Sequence, residues 1–429
     1  MPGHPSIEEV SPTDPVKNFT SWAADNFIFI HPSLRFVQSP GGHDVHTETE
    51  ISPNTKVLSC PFSMAITGPQ SKDTLAALFQ GDSTSVSQVL DKWSERQIVC
   101  VYMILHRVWE NVKNSPLPSV LRHKPYLDMF PSSSALLTTM YFSQEEIDLL
   151  KGSNLYQATI TRSQEWRAEW QACAHGLSAL DAELSAALTW EHYLEAATHL
   201  SSRAFPSTIL SKTPSNAASN LSHAVLLPGI DSLNHKRATP VSWVANVSEP
   251  LASSTLDLLI HETVLAGAEC FNNYGPKPNS ELILGYGFAL PSNPDDTILL
   301  SLAASNTAQS SMVEIGRDAK NAERLWELVI AKVSELGGDE EPVSDWEAEL
   351  EAAEIIMNLT EQRMERLPDM NKADGVNARQ LVLEMVEYYL EGQRAILISL
   401  IQWAQAKRLE ARDKALAEGI ELILDDEEE

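Results

Sequence analysis

The sequence predicts an α+β protein in which two small strand-rich segments are separated by one helical block and followed by another. Three observations carry this expectation. Over residues 34–67, short β-prone pieces (LRFV, KVLSCPF) alternate with Gly, Pro, Asn and Ser, the pattern of small strands and turns. The same texture returns over 224–300. Between them, and again after 300, the chain is helical in character. Each strand-rich piece is too small to form a stable sheet alone. The two are therefore expected to combine into one β domain, with the first helical block inserted and the second appended.

In chain order, residues 1–17 read as a disordered tail, since the first fifteen hold four prolines. Residues 18–74 are the first part of the β domain, opening with a short helix in 18–30. Residues 75–200 are the helical insert. Within it Trp166, Trp170, Cys173, Leu177, Leu180, Leu184 and Leu188 recur at spacings of three and four, which predicts one helix face. The Trp pair reads as core. Residues 207–223 are rich in Ser, Asn and Ala and read as a surface insertion. Residues 201–300 complete the β domain. Residues 301–420 form an all-α C-terminal domain, with helices over 320–336 and 345–366 and one or two over 376–417. Breaks are supplied by Gly337-Gly338 and by 368–375. Residues 421–429 are an acidic tail.

The formal net charge of −28 argues against a surface built for nucleic-acid phosphates and is compatible with a basic partner. The four cysteines are far apart, with no C-x-x-C pair, so neither a metal cluster nor a disulfide framework is expected. No signal peptide and no run of 18 apolar residues is found, so no membrane association is expected. Compartment is expected to be cytoplasmic, nuclear or both, and the chain a monomer.

Three segments carry candidate chemistry: Ser202-Arg203-Ala204-Phe205; Leu227-Pro228-Gly229-Ile230-Asp231-Ser232-Leu233-Asn234-His235; and Phe271-Asn272-Asn273-Tyr274-Gly275, running on to Gly285-Tyr286-Gly287-Phe288. Singly, each has a structural reading. Asp231 and Asn234 suit turn caps, His235 a core histidine, and Asn-Tyr-Gly-Pro a plain turn.

Together and in this order, the segments resemble the SET-domain protein methyltransferases. They are most similar to the branch holding the plant Rubisco large-subunit lysine methyltransferase, the yeast ribosomal lysine methyltransferases and the actin histidine methyltransferase. Pro125-Tyr126-Leu127-Asp128, Leu150-Lys151-Gly152-Ser153 and Gly392-Gln393-Arg394 look like further landmarks of that branch. The resemblance implies a SET β-fold with a pseudoknot, a helical insert and a C-terminal substrate-binding domain. It implies transfer of a methyl group from S-adenosylmethionine to a protein lysine. Tyr274 would be the catalytic tyrosine. Asn234 and His235 would meet the cofactor, Arg203 would bind its carboxylate, and Phe205 and Asp231 would complete the pocket. Tyr286 and Phe288 would line the lysine channel. A basic protein substrate is expected, a ribosomal protein first and a histone second.

The chain departs from the family near its start, where a Gly-x-Gly turn lets backbone approach the cofactor. The matching stretch is Gly42-His43-Asp44, with Asp44 where the second glycine is expected and Gly41 near an expected acidic residue. Gly42 and His43 are still candidate cofactor contacts. Asp tolerates positive φ better than most residues, so the turn is expected to survive. The alternative is a catalytically impaired SET-fold protein that serves as a binding module.

Overall fold

The computed structural model describes residues 14–79, 83–215, 222–302, 311–336, 344–370 and 375–422. Its strands are β1 Phe29–Ile30, β2 Leu34–Ser39, β3 Gly42–Thr47, β4 Thr55–Pro61, β5 Phe205–Pro206, β6 Ala224–Val225, β7 Val241–Asn246, β8 Thr255–Ile260, β9 Thr297–Leu302 and β10 Ser311–Gly316. Its helices are α1 Pro15–Asp25, α2 Gly68–Leu78, α3 Ser83–Leu90, α4 Glu95–Lys113, α5 Lys124–Leu127, α6 Gln144–Asp148, α7 Asn154–Ser178, α8 Ala182–Ala187, α9 Trp190–Arg203, α10 Asn279–Tyr286, α11 Ala322–Leu336, α12 Asp345–Arg366 and α13 Gln380–Ala417. The class is α+β, as the sequence predicts. Two compact units form: residues 1–136 with 162–276, and residues 137–161 with 277–429.

In the first unit, the two strand-rich segments do join. The sheet order is β1-β4-β8-β7, every pair antiparallel, so β4 from the first segment pairs with β8 from the second. Val57, Leu58, Ser59 and Cys60 are all buried on β4, as suits a central strand covered on both faces. The buried Asp257 of β8 is satisfied by Ser59 and by Asn246, whose Nδ2 donates at 2.9 Å. Helix α4 is buried from Gln97 through His106. A Ser94–Gln97 capping box starts it.

Several local expectations change. Helix α1 begins at Pro15, inside the expected tail, because Asp14 accepts from the Val16 and Lys17 amides and Pro15 suits a first helical turn. Residues 1–13 lie outside the described residues, as do 423–429 and the Gly337-Gly338 break. The Trp166-to-Leu188 stripe is not one helix face. Helix α7 stops at Ser178, and Asp181 caps α8 by accepting from the Leu184 amide at 3.0 Å. Trp166, Cys173, Leu177, Leu184 and Leu188 are nevertheless core. Of 207–223, Ile209 is buried in a 3₁₀ turn, and 216–221 lie outside the described residues. The four cysteines are buried free thiols.

In the second unit, the β9–β10 pair precedes the helices, which number three after residue 320 among the described residues. Helix α13 runs unbroken for 38 residues. Its core comprises Leu325, Val329 and Val333 of α11, Ala352 and Ile356 of α12, and Val386, Tyr389, Leu390, Ile396, Leu397 and Leu400 of α13. Gly392 is where α13 meets the buried Asp296: a Cβ there would fall 2.1 Å from Asp296 Oδ2. Asp296 in turn accepts from the Asn279 amide at 2.7 Å. The neighbouring Gln393 donates to the Thr297 carbonyl at 2.9 Å. Gly152, with φ +86°, stands where a Cβ would fall 1.9 Å from the Arg366 carbonyl oxygen. We expect Gly392→Ala to destabilise this unit by about 3 kcal/mol, as overpacking against a fixed polar group does. Differential scanning calorimetry checks this, and an unchanged midpoint would refute the packing assignment.

Candidate active site

The site in the first unit begins at the C-terminus of α9. Arg203, the last helical residue, lays its guanidinium over the Phe130 ring at 4.6 Å. Its Nη1 donates to the Asp231 carbonyl at 3.1 Å and lies 3.4 Å from Oδ2. Tyr126 donates its hydroxyl to the same Oδ2 at 2.7 Å. The Asp231 side chain is only 2 % exposed. Burial raises the Asp231 pKa, and Arg203 and Tyr126 oppose that rise. Burial likewise pushes the Tyr126 hydroxyl well up, with Asp231 adding to it.

A small cavity is lined by Phe19, Phe36, His43, Tyr126, Phe130 and Arg203. Two buried polar side-chain atoms have no hydrogen-bond partner among the described residues: His43 Nδ1, of a residue lining this cavity, and Asp231 Oδ1, on the aspartate that Arg203 and Tyr126 hold. Such atoms cost free energy unless a ligand or water satisfies them. An arginine beside an unsatisfied carboxylate oxygen fits a ligand that carries both a carboxylate and an ammonium, as the amino-acid end of S-adenosylmethionine does.

The second half of the site is a backbone clasp. The Asn272 amide donates to the Asn234 carbonyl at 2.7 Å, and the Lys236 amide donates to the Asn272 carbonyl at 2.9 Å. These form a parallel bridge between His235 and Asn272. Tyr274 follows directly. Its amide donates to His235 Nδ1 at 3.0 Å, so that nitrogen is the acceptor and the proton is on Nε2. Its ring stacks on His235 at 5.0 Å, and its hydroxyl donates to the Leu233 carbonyl at 2.9 Å. Asn272 is itself fixed, with Oδ1 accepting from Trp243 Nε1 at 3.0 Å and from the Asn273 amide at 2.8 Å.

The structure thus brings together Arg203 with Asp231, and Asn234 and His235 with Tyr274, while His43 lines the Arg203 cavity. Phe205 sits on β5, buried, its ring edge-on to Trp243 at 4.9 Å. Tyr286 and Phe288 belong to the second unit, where their rings are 6.2 Å apart and Lys277 stands 5.6 Å over Tyr286. Burial pushes the Tyr286 hydroxyl up to about 12. Gly42 adopts φ +126°, which favours glycine, and packs beside Pro131.

Asp44 departs from expectation. The β2–β3 register pairs Ser39 with Gly42, so the turn is Pro40-Gly41. Asp44 is an ordinary strand residue opposite Val37, and its φ is not positive. Its tolerance of a left-handed turn is therefore not called upon. Its carboxylate accepts from Asn234 Nδ2 at 2.9 Å. Tyr126 and Phe130 were not singled out as site residues by sequence. The signal for Tyr126 lay in Pro125-Tyr126-Leu127-Asp128, which gave no hint of its partner.

No family model matches the chain. A ribosomal lysine N-methyltransferase, set10 of Schizosaccharomyces pombe, is 30% identical over 287 residues, covering 66% of this chain and 47% of that one. Protein-lysine N-methyltransferase EFM1 of Saccharomyces cerevisiae is 26% identical over 338 residues, covering 69% and 53%. The chain therefore spans about half the length of the curated relatives it matches. Among solved structures, the SET domain of LSMT bound to lysine and AdoHcy superposes with a TM-score of 0.73 at 18% identity, over 94% of this chain and 93% of that one. Rubisco LSMT bound to AdoMet does so with a TM-score of 0.67. The fold is that of these SET-domain structures, and the sequence is similar to ribosomal and other protein-lysine methyltransferases.

Proposed function

We propose that this protein is an S-adenosylmethionine-dependent protein-lysine N-methyltransferase. The observation that carries the reading is the clasp that sets Tyr274 beside Asn234 and His235, with Arg203 and Asp231 forming a polar cradle in the same unit. When bound, S-adenosylmethionine supplies a methyl group activated by a sulfonium. Arg203 would hold the cofactor's carboxylate, and Asp231 Oδ1 would accept from its ammonium. His43 and Gly42 would border it on β3, with Phe205 as buried support. The Tyr274 hydroxyl, anchored on the Leu233 carbonyl, would orient the incoming neutral lysine nitrogen in line with the methyl carbon. Positioning of this kind accounts for much of the acceleration of a bimolecular displacement. Tyr286 and Phe288 would be the aromatic walls for the lysine stem, which suit a methylene chain ending in a cation.

The substrate we propose is a basic ribosomal protein, with histones second, and the compartment the cytoplasm, the nucleus or both. The net charge of −28 and the likeness to a ribosomal lysine methyltransferase support this. The impaired-module alternative rested on Asp44 disturbing a turn, and Asp44 lies in regular strand instead.

Calorimetric titration with S-adenosylmethionine tests the cofactor. Saturable binding in the micromolar range is expected, with stability raised by about 2.7 kcal/mol at a hundredfold excess over Kd. No binding at millimolar cofactor would sink the proposal. Incubation with labelled cofactor and purified ribosomal proteins then tests the substrate. Labelling should fall as salt rises from 50 to 300 mM, because screening weakens attraction between an acidic enzyme and a basic target. Labelling of histones alone, or indifference to salt, would overturn the substrate assignment.

A further inference from the structure

Three side chains with metal-binding chemistry converge on one face of β3. Asp44 and His46 are two apart on that strand, so their side chains leave the same face, while the buried Val45 between them points the other way. The stretch 268–270 runs antiparallel beside them. The Thr47 amide donates to the Ala268 carbonyl at 3.0 Å, and the Cys270 amide donates to the Val45 carbonyl at 2.8 Å. His46 and Glu269 are therefore an opposed pair with no hydrogen bond directly between them, the arrangement that brings side chains closest. One donor atom from each of Asp44, His46 and Glu269 lies within 4.8 Å of the others.

Each of the three is also held by a further partner. His46 Nδ1 is 3.1 Å from the Gly267 carbonyl. A carbonyl only accepts, so Nδ1 carries the proton and Nε2 keeps its lone pair. The Asn234 amide nitrogen donates to Asp44 Oδ1 at 2.9 Å and to Glu269 Oε1 at 2.8 Å. Bonds of this kind orient the imidazoles and carboxylates that bind metals. The amide carries no charge, so it leaves the repulsion between the two converging carboxylates for a cation to offset.

We propose that Asp44, His46 and Glu269 form a binding site for a divalent transition-metal ion of the zinc type. One imidazole nitrogen with two carboxylate oxygens suits zinc, whereas calcium and magnesium favour oxygen ligands alone. Around a tetrahedral zinc with ligands at about 2.0–2.2 Å, neighbouring donors stand roughly 3.4 Å apart. The three donors here reach that spacing by closing about 1.4 Å at most, a small rotation for half-buried side chains. The fourth position falls to water. The site goes beyond the methyltransferase reading and does not depend on it, since its donors and their partners are all protein groups. A bound ion would pin β3 to the stretch 268–270, directly before Asn272 and Tyr274. The sequence predicted no metal cluster from its cysteines, and this donor set uses none of them.

The experiment strips the full chain of metal with a chelator and titrates it with Zn²⁺ by calorimetry and with Co²⁺ by visible absorption. Saturable one-to-one Zn²⁺ binding in the micromolar range is expected, with a thermal midpoint raised by a few degrees at a hundredfold excess over Kd. Co²⁺ should give the intense visible bands of a four-coordinate ion, and Ca²⁺ should bind at least about tenfold more weakly than Zn²⁺. The variants are Asp44→Asn, His46→Gln and Glu269→Gln. The new amides can still accept from Asn234 or donate to Gly267, so each change removes a ligand and keeps the local hydrogen bonds. Each should weaken Zn²⁺ binding by about tenfold or more and abolish the Co²⁺ bands. Should one variant fail to fold, the other two decide. Equal Zn²⁺ affinity in the folded variants would make the binding adventitious, at the buried histidines or cysteines, and overturn the proposal. No binding at millimolar Zn²⁺, or Ca²⁺ bound as well as Zn²⁺, would overturn it too.

Discussion

Replacing Tyr274 by Phe should lower kcat on a protein substrate by about 100- to 1000-fold, the usual cost of removing one preorganised polar group from a reacting centre. Cofactor affinity should change by less than about twofold, since the ring stacked on His235 and the backbone bond to His235 Nδ1 are both kept. The stability cost should be about 1 kcal/mol, for one lost hydrogen bond to the Leu233 carbonyl. The combination is diagnostic: a collapse in turnover with intact binding and a thermal midpoint lowered by only a few degrees. Single-turnover methylation beside calorimetry measures all three. Unchanged turnover would remove Tyr274 from the mechanism.

The second large effect is on stability in acid. His106, His123 and His199 are buried in the first unit. Burial lowers their pKa values, to about 4 for His106 and about 3 for the other two, with nearby cations adding to the fall. The unfolded chain takes up these protons below about pH 6.5, and the folded chain does not. Their contribution is thus fully present above pH 6.5 and is lost as pH falls towards 4. Asp231 and Asp296 act in the opposite sense, because burial raises both, Asp296 to about 6. The net difference is about one to two protons, or about 1.4–2.7 kcal/mol per pH unit. Between pH 6.5 and 5 that removes about 2–4 kcal/mol, a large share of a typical folding free energy. Scanning calorimetry should show a midpoint nearly flat from pH 7 to 8 and steeply falling from 6 to 5. His199→Leu should flatten the slope by about one proton, and an unaltered slope would refute the assignment to that histidine.

Much of the fold was legible because its signals are local or periodic. The helices over 322–336 and 345–366 follow from periodicity, and the two strand-rich segments had to pair because neither could form a sheet alone. The landmarks at Gly152 and Gly392 could be seen in sequence, but their reasons could not. Each is a close approach to a partner more than a hundred residues away in one case and nearly a hundred in the other, the Arg366 carbonyl and the Asp296 carboxylate. The same holds for Tyr126, whose partner Asp231 is 105 residues on. The break between α7 and α8 was missed because apolar spacing continued through it, while one aspartate cap decided the matter. Asp44 was misread because a family glycine position was taken as a turn. The register set by Ser39 and Gly42 moved the turn to Pro40-Gly41 and left Asp44 extended.

Each compact unit is built from two separate stretches of chain, 1–136 with 162–276 and 137–161 with 277–429. This has a consequence for synthesis. A ribosome adding about 5–20 residues per second takes roughly 7–28 s to go from residue 136 to residue 276. Until residue 260 is added, β4 has been made and its partner β8 has not, so its apolar residues await cover. The short stretch 137–161 waits in the same way for the helices that follow 320. A chain that ends before residue 276 therefore leaves neither unit complete.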